Sequence, residues 1–298
     1  MRIMAAIAAV AGLALSFTGS GAEAPAVVTL LEGQAVLLRA AGRFALAEGV
    51  RIQAGDIVEV AEKGLVQVGF SDGTRVSLGP QSRFHVATVS DFFLLHGWSK
   101  TATAKALRLT TPLFGLATAE AIFVLHVQNN EASVFVERGE LRLSEGFTKA
   151  STASALSVRA GQFYARKADQ KGVTQARPPQ AFVAAMPRPY QDNLPERLAL
   201  FKEREVPPRH LGDLAYADVE SWLTAPPELR RPMMQRLRAR ARDPEFRKAL
   251  IANMPRHPEW DRIVFPDRYK PKPKPTAPES ALPSTPSSTP SPTRSPTP

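Results

Sequence analysis

The sequence predicts a mainly β fold: a β-sandwich-like or β-roll domain, followed by a small α-helical region and a disordered tail. Three observations carry this expectation. From 27 to 176, short Val/Leu/Phe-rich stretches alternate in polarity, as half-buried strands do, and turn residues punctuate them. Beyond Arg177-Pro178-Pro179 the apolar period changes from two to that of a helix. From Lys270 to Pro298 the chain is Pro/Ser/Thr-rich with almost nothing to bury, so it cannot offset the entropy of ordering.

At the N-terminus, Met1-Arg2 precedes an apolar run from Ile3 to Phe17, and small residues follow to Ala26. A positive charge, a short apolar stretch and small residues are the three parts of a secretory signal. The run is shorter than the ~20 residues that a spanning helix needs. Residues 1–26 are therefore expected to be a cleaved signal peptide, cut after Ala22 or after Ala26, since Pro25 disfavours a cut just before it. No other segment approaches transmembrane length, so the mature chain is expected to be soluble or peripheral.

The chain has no cysteine, which excludes disulfides, thiolate metal sites, cysteine nucleophiles and a lipidated cysteine. An exported chain of this kind depends on its core, and some 150 residues suffice to build one. The formal net charge is +10. From Pro25 to Ala176 there are 16 Lys/Arg against 13 Asp/Glu; from Arg177 onward there are 21 against 14. The basic character thus belongs to the second part. Export argues against nucleic acid as a partner and for an envelope protein, a cell-wall polymer or an anionic membrane surface.

In the first region the expected strands include Gln34–Arg39, Leu65–Phe70, Thr74–Leu78, Arg83–Thr88, Leu107–Thr110, Ile122–Val127, Ser133–Val136 and Leu141–Leu143. Asp72-Gly73 between two of them is the strongest hairpin signal, because a tight turn needs positive φ. Residues 177–189 are expected to be a proline-rich hinge. The helical region, 190–269, is expected to start with a helix capped by Asp192 or Asn193 and carrying Leu198 and Phe201. Asp213 is expected to cap a second, and a third runs from Pro227 to about Arg242. Asp243-Pro244-Glu245 supplies a cap, an N1 proline and an early acid for a fourth.

Catalytic patterns are sparse. The histidines, His85, His96, His126, His210 and His257, show no metalloprotease spacing, and no phosphate loop occurs. His257, Glu259 and Asp261 alternate and could touch a metal, but a capped turn with Trp260, Ile263 and Phe265 packed inward explains them more simply. Asp56 and Asp72 read as turn residues accepting local backbone hydrogen bonds. In the third helix Leu229, Met233 and Leu237 fall on one side and Arg231, Arg238 and Arg242 on the other. That arginine stripe, a solvated face or a docking surface for phosphate or carboxylate, and the Asp72-Gly73 turn form the candidate binding surface. No catalytic residue, cofactor or metal is expected.

One run carries a family resemblance: Leu65-Val66-Gln67-Val68-Gly69-Phe70-Ser71-Asp72-Gly73-Thr74-Arg75-Val76-Ser77-Leu78, with Pro80 and Phe84 after it. Leu31-Glu32-Gly33 and Gly55-Asp56 precede it. Leu95-His96-Gly97-Trp98, Thr111-Pro112 with Gly115, Val136-Glu137-Arg138-Gly139-Glu140 and Ala160-Gly161-Gln162 follow in order. Together they resemble the FecR-type domain of bacterial envelope proteins, over about residues 27–170. The resemblance implies an all-β fold and a periplasmic address more than an activity. Ala119-Glu120-Ala121-Ile122 stands where the family often has Val-Arg-Gly-Thr. Only Met1 and Arg2 precede the apolar run, so the family's sigma-factor-gripping segment has no residues here. The leading expectation is a non-catalytic binding or scaffolding protein that contacts another envelope component. The alternatives are an envelope signal-transduction regulator acting through a membrane partner and, third, a cell-wall hydrolase.

Overall fold

The computed structural model describes residues 26–146 and 155–270. The expected signal peptide and tail lie outside them, Ala26 and Lys270 excepted. Among the described residues, seventeen strands and five short α-helices follow in order. The first strands are β1 (Ala26–Glu32), β2 (Ala35–Arg39), β3 (Gly42–Ala45), β4 (Arg51–Ile52), β5 (Asp56–Val60) and β6 (Leu65–Phe70). Next come β7 (Arg75–Leu78), β8 (Arg83–Thr88), β9 (Asp91–Thr103), β10 (Leu107–Thr110), β11 (Gly115–Thr118) and β12 (Ala121–Gln128). The remainder are β13 (Glu131–Ser144), β14 (Leu156–Arg159), β15 (Phe163–Lys167), β16 (Val173–Gln175) and, after a helical stretch, β17 (Arg209–Asp213). The helices are α1 (Gln180–Ala185), α2 (Tyr216–Leu223), α3 (Pro227–Arg236), α4 (Pro244–Ala252) and α5 (Asp261–Val264).

The strands build two facing sheets, so the mainly β expectation holds. The first runs β4-β1-β6-β7-β9-β12-β13-β15-β16, antiparallel throughout. The second runs β17-β3-β2-β5-β8-β9-β10-β11-β13-β14, with β9 and β10 parallel. Strands β9 and β13 belong to both. In β9 the residues up to His96 pair in the second sheet, and those from Gly97 pair in the first. In β13 the change falls between Gly139 and Glu140. Each corner has a glycine at positive φ, +92° for Gly97 and +83° for Gly139. A side chain at either would collide with backbone across the corner, at 2.4 Å from Ser82 Cα and 2.3 Å from the Glu120 carbonyl oxygen. Strands that switch sheets need such bends.

Between the sheets lies an apolar core that includes Val66, Val68, Phe70, Phe84, Phe92, Phe114, Phe123 and Tyr164. The alternation in β6 sends Val66, Val68 and Phe70 into it, yet every residue of β6 is buried. The face carrying Leu65, Gln67 and Gly69 is covered by returning chain: the Gln67 amide donates to the Pro195 carbonyl at 2.7 Å, and Leu198 packs over Gly69. The outer face of the second sheet is covered as well, where Leu38, Ile57 and Phe93 meet Trp222, Leu229, Met233, Leu237, Phe246 and Trp260 of the helical region.

That wrapping corrects the expectations for the second half. Residues 177–189 are not a free hinge, for α1 lies there and packs Phe182 against Trp98, ring centroids 5.2 Å apart. The helix expected after Asp192 is a single 3-10 turn, Leu198–Phe201. The carbonyls of Asp192 and Pro195 accept from Lys100 and Gln67 of the sheet instead of from a helical ladder. Asp213 caps nothing; it ends β17, which pairs with β3, and α2 is opened by Asp218, whose side chain accepts from the Ala215 N–H at 2.7 Å. The third helix stops at Arg236, whose guanidinium donates to the Leu38 carbonyl, and Pro232 interrupts its backbone ladder. Residues Arg240–Arg242 form a separate 3-10 turn, so Arg231, Arg238 and Arg242 do not share one helix face. Asp243 does cap α4, accepting from the Phe246 N–H at 2.9 Å. Among the described residues no helix is long and apolar enough to cross a membrane.

His85 sits under the helical cover, stacked on Phe93 at 5.4 Å and edge-on to Trp222 at 6.0 Å. Burial, and then the nearby Arg236 charge, lower its pKa to about 3. An unfolded histidine takes up a proton near pH 6.5 that the folded one refuses, so this contribution to stability is intact above pH 6.5 and is lost as pH falls toward 3. The slope is up to about 1.4 kcal/mol per pH unit. Urea midpoints recorded between pH 7 and 4 should fall less steeply for His85→Phe than for the native chain. Parallel curves would show that another group sets the acid limit.

Candidate binding trough

Gly97 turns β9 into the first sheet and makes Trp98 the first outward residue beyond the corner. From there one register line crosses five strands: Trp98 opposite His126, His126 opposite Ser133, Ser133 opposite Ala165, Ala165 opposite Val173. Strands are spaced by ~4.8 Å, so the line is about 19 Å long. Large rings stand at one end and the small Ser133 and Ala165 lie in the middle, which leaves a depression across the sheet. Helix α1 walls one side with Pro179, Ala181, Phe182 and Ala185. The β12–β13 and β15–β16 turns wall the other, tied together by the Ala168 N–H donating to the Asn130 carbonyl at 2.9 Å. The trough has a volume of about 770 Å³.

Its floor is aromatic. Trp98 and His126 stack with centroids 3.9 Å apart and planes 12° apart, and Phe182 bridges Trp98 and Phe163. Burial, and secondarily the proximity of His96, lower the His126 pKa to about 4, so at neutral pH the ring is an uncharged plate with a donor and an acceptor. The rim is rich in amides, Gln128, Asn129, Asn130, Gln170 and Gln175, and its charges balance: Lys167 and Lys171 against Glu131 and Asp169. Such a surface offers donors and acceptors over an apolar base but no net field to draw a polyanion.

The residues expected to bind lie elsewhere. Asp72-Gly73 is the hairpin its sequence implies, with Gly73 at φ +88° and the Asp72 carboxylate accepting from the Thr74 N–H at 2.8 Å, but it is an exposed tip between β6 and β7. Arg231, Arg238 and Arg242 belong to the cover on the second sheet. None of the five lines the trough. His257, Glu259 and Asp261 also part company. His257 is buried with Nε2 3.1 Å from the Tyr216 hydroxyl, Glu259 pairs with Arg230, and Asp261 with Arg268 at 3.1 Å. Among the described residues no group of three such side chains is placed to hold a metal. Sequence reasoning passed over Trp98 and His126. The signal available was the Gly97-Trp98 step together with an Asn129-Asn130 turn three residues after an outward histidine.

The fold and the trough define a class: a two-sheet β protein, covered on both outer faces by its own C-terminal chain, with an open, charge-balanced groove. No family model matches the chain. No curated protein matches it either. Among the solved structures that are similar are two crystal structures of a "putative anti-sigma factor" from Parabacteroides distasonis ATCC 8503. One is 13% identical with a TM-score of 0.37, over 43% of this chain and 63% of that one. The other is 11% identical with a TM-score of 0.37, over 43% of this chain and 62% of that one. The similarity thus spans less than two thirds of those chains.

Proposed function

We propose that this chain is a non-catalytic, FecR-type binding module of the bacterial cell envelope, and that its trough holds a linear, uncharged cell-wall polymer. The observation that carries the reading is the trough: open, about 770 Å³, aromatic at its base and ringed by amides and balanced charges. Sugar rings present C–H faces suited to an aromatic floor and hydroxyls suited to an amide rim. A groove that crosses five strands accommodates an extended chain better than a compact ligand. The envelope address rests on the N-terminal segment and on the family resemblance.

The test is sedimentation with purified cell wall. The native chain should pellet with it, and Ala165→Trp, which fills the middle of the trough at a half-buried position, should lose at least about tenfold in affinity while its unfolding midpoint stays within about 0.5 kcal/mol of native. Equal pelleting of the variant, or none by the native chain, overturns the assignment of the trough. Crosslinking in living cells that captures one dominant protein, lost in the same variant, would replace the polymer by a protein and revive the regulator reading.

A further inference from the structure

A second cavity opens on the same outer face of the first sheet and is chemically unlike the trough. It has a volume of about 260 Å³ and lies between the sheet and Asn193-Leu194 of the returning chain. Its floor is again a single register line: Arg75 opposite Ala102, Ala102 opposite Ile122, Ile122 opposite Arg138. The two arginines stand three strand steps apart, about 14 Å between their backbones. Between them are one small and one apolar side chain, so their guanidinium groups flank a common space from opposite sides. Lys100, two residues before Ala102 on the same face of β9, adds a third positive charge to the lining, and no carboxylate lines it.

The hydrogen-bonding state of these cations separates their roles. The Lys100 ammonium is saturated: it donates to the Tyr190 carbonyl at 2.6 Å and the Asp192 carbonyl at 2.8 Å, and pairs with Glu137 at 3.0 Å. It supplies structure rather than a free donor. Arg138 is exposed, and among the described residues its guanidinium has no hydrogen-bond or ion-pair partner. Arg75 has a single contact, 3.5 Å to the largely exposed Glu196, and its buried Nε is without a partner. Two arginines with unused donors thus face each other across a cavity whose lining holds no carboxylate.

We infer that this cavity binds a phosphoryl group carried on a small polar molecule or a lipid headgroup. A carboxylate is satisfied by one guanidinium fork, whereas a phosphoryl group turns three oxygens in different directions and accepts from two forks at once. The cavity is roomier than the phosphoryl oxygens alone require, and Ala102 and Ile122 provide an apolar floor for the first carbons of an ester. The inference is independent of what fills the trough, since the two sites share no lining residue.

The experiment is calorimetric titration of the mature chain with inorganic phosphate and with glycerol 3-phosphate at low salt. Sedimentation with phosphatidylcholine vesicles containing phosphatidylglycerol runs beside it. Saturable binding of glycerol 3-phosphate should weaken about tenfold in Arg138→Gln and in Arg75→Gln, the scale of one charge-assisted hydrogen-bonding partner. Arg138→Gln removes no internal contact and should keep the native unfolding midpoint. Arg231→Gln, on the other sheet's cover, should bind like the native chain. Vesicle binding that is also lost in Arg138→Gln identifies a headgroup as the source; binding of the free ester alone identifies a soluble phosphate ester. Absence of saturable binding to every probe overturns the inference, as would retention of binding in Arg138→Gln or an equal loss in Arg231→Gln.

Discussion

Replacing Gly97 by alanine should destabilise the protein by about 2–5 kcal/mol, the sum of about 1–2 kcal/mol for a side chain in a left-handed backbone and a further 1–3 for steric displacement. The neighbour that must give way is not free to move. Ser82 is fully buried, and its hydroxyl donates to the Trp98 carbonyl at 2.7 Å and accepts from the Trp98 N–H at 3.0 Å. The new methyl group would stand 2.4 Å from Ser82 Cα and 2.7 Å from its nitrogen. Gly139 has the same predicament at the other corner, 2.3 Å from the Glu120 carbonyl oxygen and 3.0 Å from Ala121 Cα, so Gly139→Ala should cost a similar amount. Gly73 provides the control. Its φ is +88°, but an added methyl meets nothing within 4 Å, so Gly73→Ala should cost only about 1–2 kcal/mol. Urea unfolding of the three variants decides the matter. If Gly97→Ala and Gly139→Ala are no worse than Gly73→Ala, the corners yield more readily than their packing implies. Because Trp98 follows Gly97 directly, the loss at this corner should also disturb the trough.

The second large effect is expected at Lys100. Removing one member of a buried charge network costs about 3–5 kcal/mol, since the partners are left without compensation. Lys100 is 2% exposed and Tyr190, whose carbonyl it serves, is fully buried. Lys100→Met keeps most of the side-chain volume but abandons the carbonyls of Tyr190 and Asp192 and the Glu137 carboxylate. It should therefore unfold at lower urea concentration and expose the segment 177–201 to protease before the sandwich opens. A Lys100→Met/Glu137→Gln double variant should recover part of the loss, the part due to the stranded carboxylate, while the two carbonyls remain unserved. A neutral Lys100→Met would mean that the Phe182, Met186 and Tyr190 contacts alone hold the returning chain.

The β elements were legible because strand formation leaves a local mark. Alternation in β6, the Asp72-Gly73 turn and the Asp243-Pro244 cap each depend on residues within a few positions of one another, and each stands in the structure as expected. The elements read differently from their sequence share one cause. Asp192 and Pro195 have the look of a helix start, but their carbonyls accept from Lys100 and Gln67, about a hundred residues away in the chain. Arg231, Arg238 and Arg242 read as one helical stripe, yet the helix ends at Arg236, whose guanidinium donates to the Leu38 carbonyl. The candidate sites follow the same division. The trough is assembled from Trp98, His126, Ser133, Ala165 and Val173, and the smaller cavity from Arg75, Ala102, Ile122 and Arg138; no local pattern joins either set.

By itself, then, the sequence determined that this protein is mainly β, where many of its strands lie, and that the hairpin tip at Asp72-Gly73 calls for glycine. Those properties arise from φ preferences, side-chain alternation and caps, all of which act over a few residues. The tertiary structure alone decided that the C-terminal half covers both outer faces of the sandwich and that β9 and β13 serve two sheets. It also decided which outward side chains come to lie on one register line. Pairing register depends on strands far apart in the chain, and a shift of one residue turns every side chain to the opposite face.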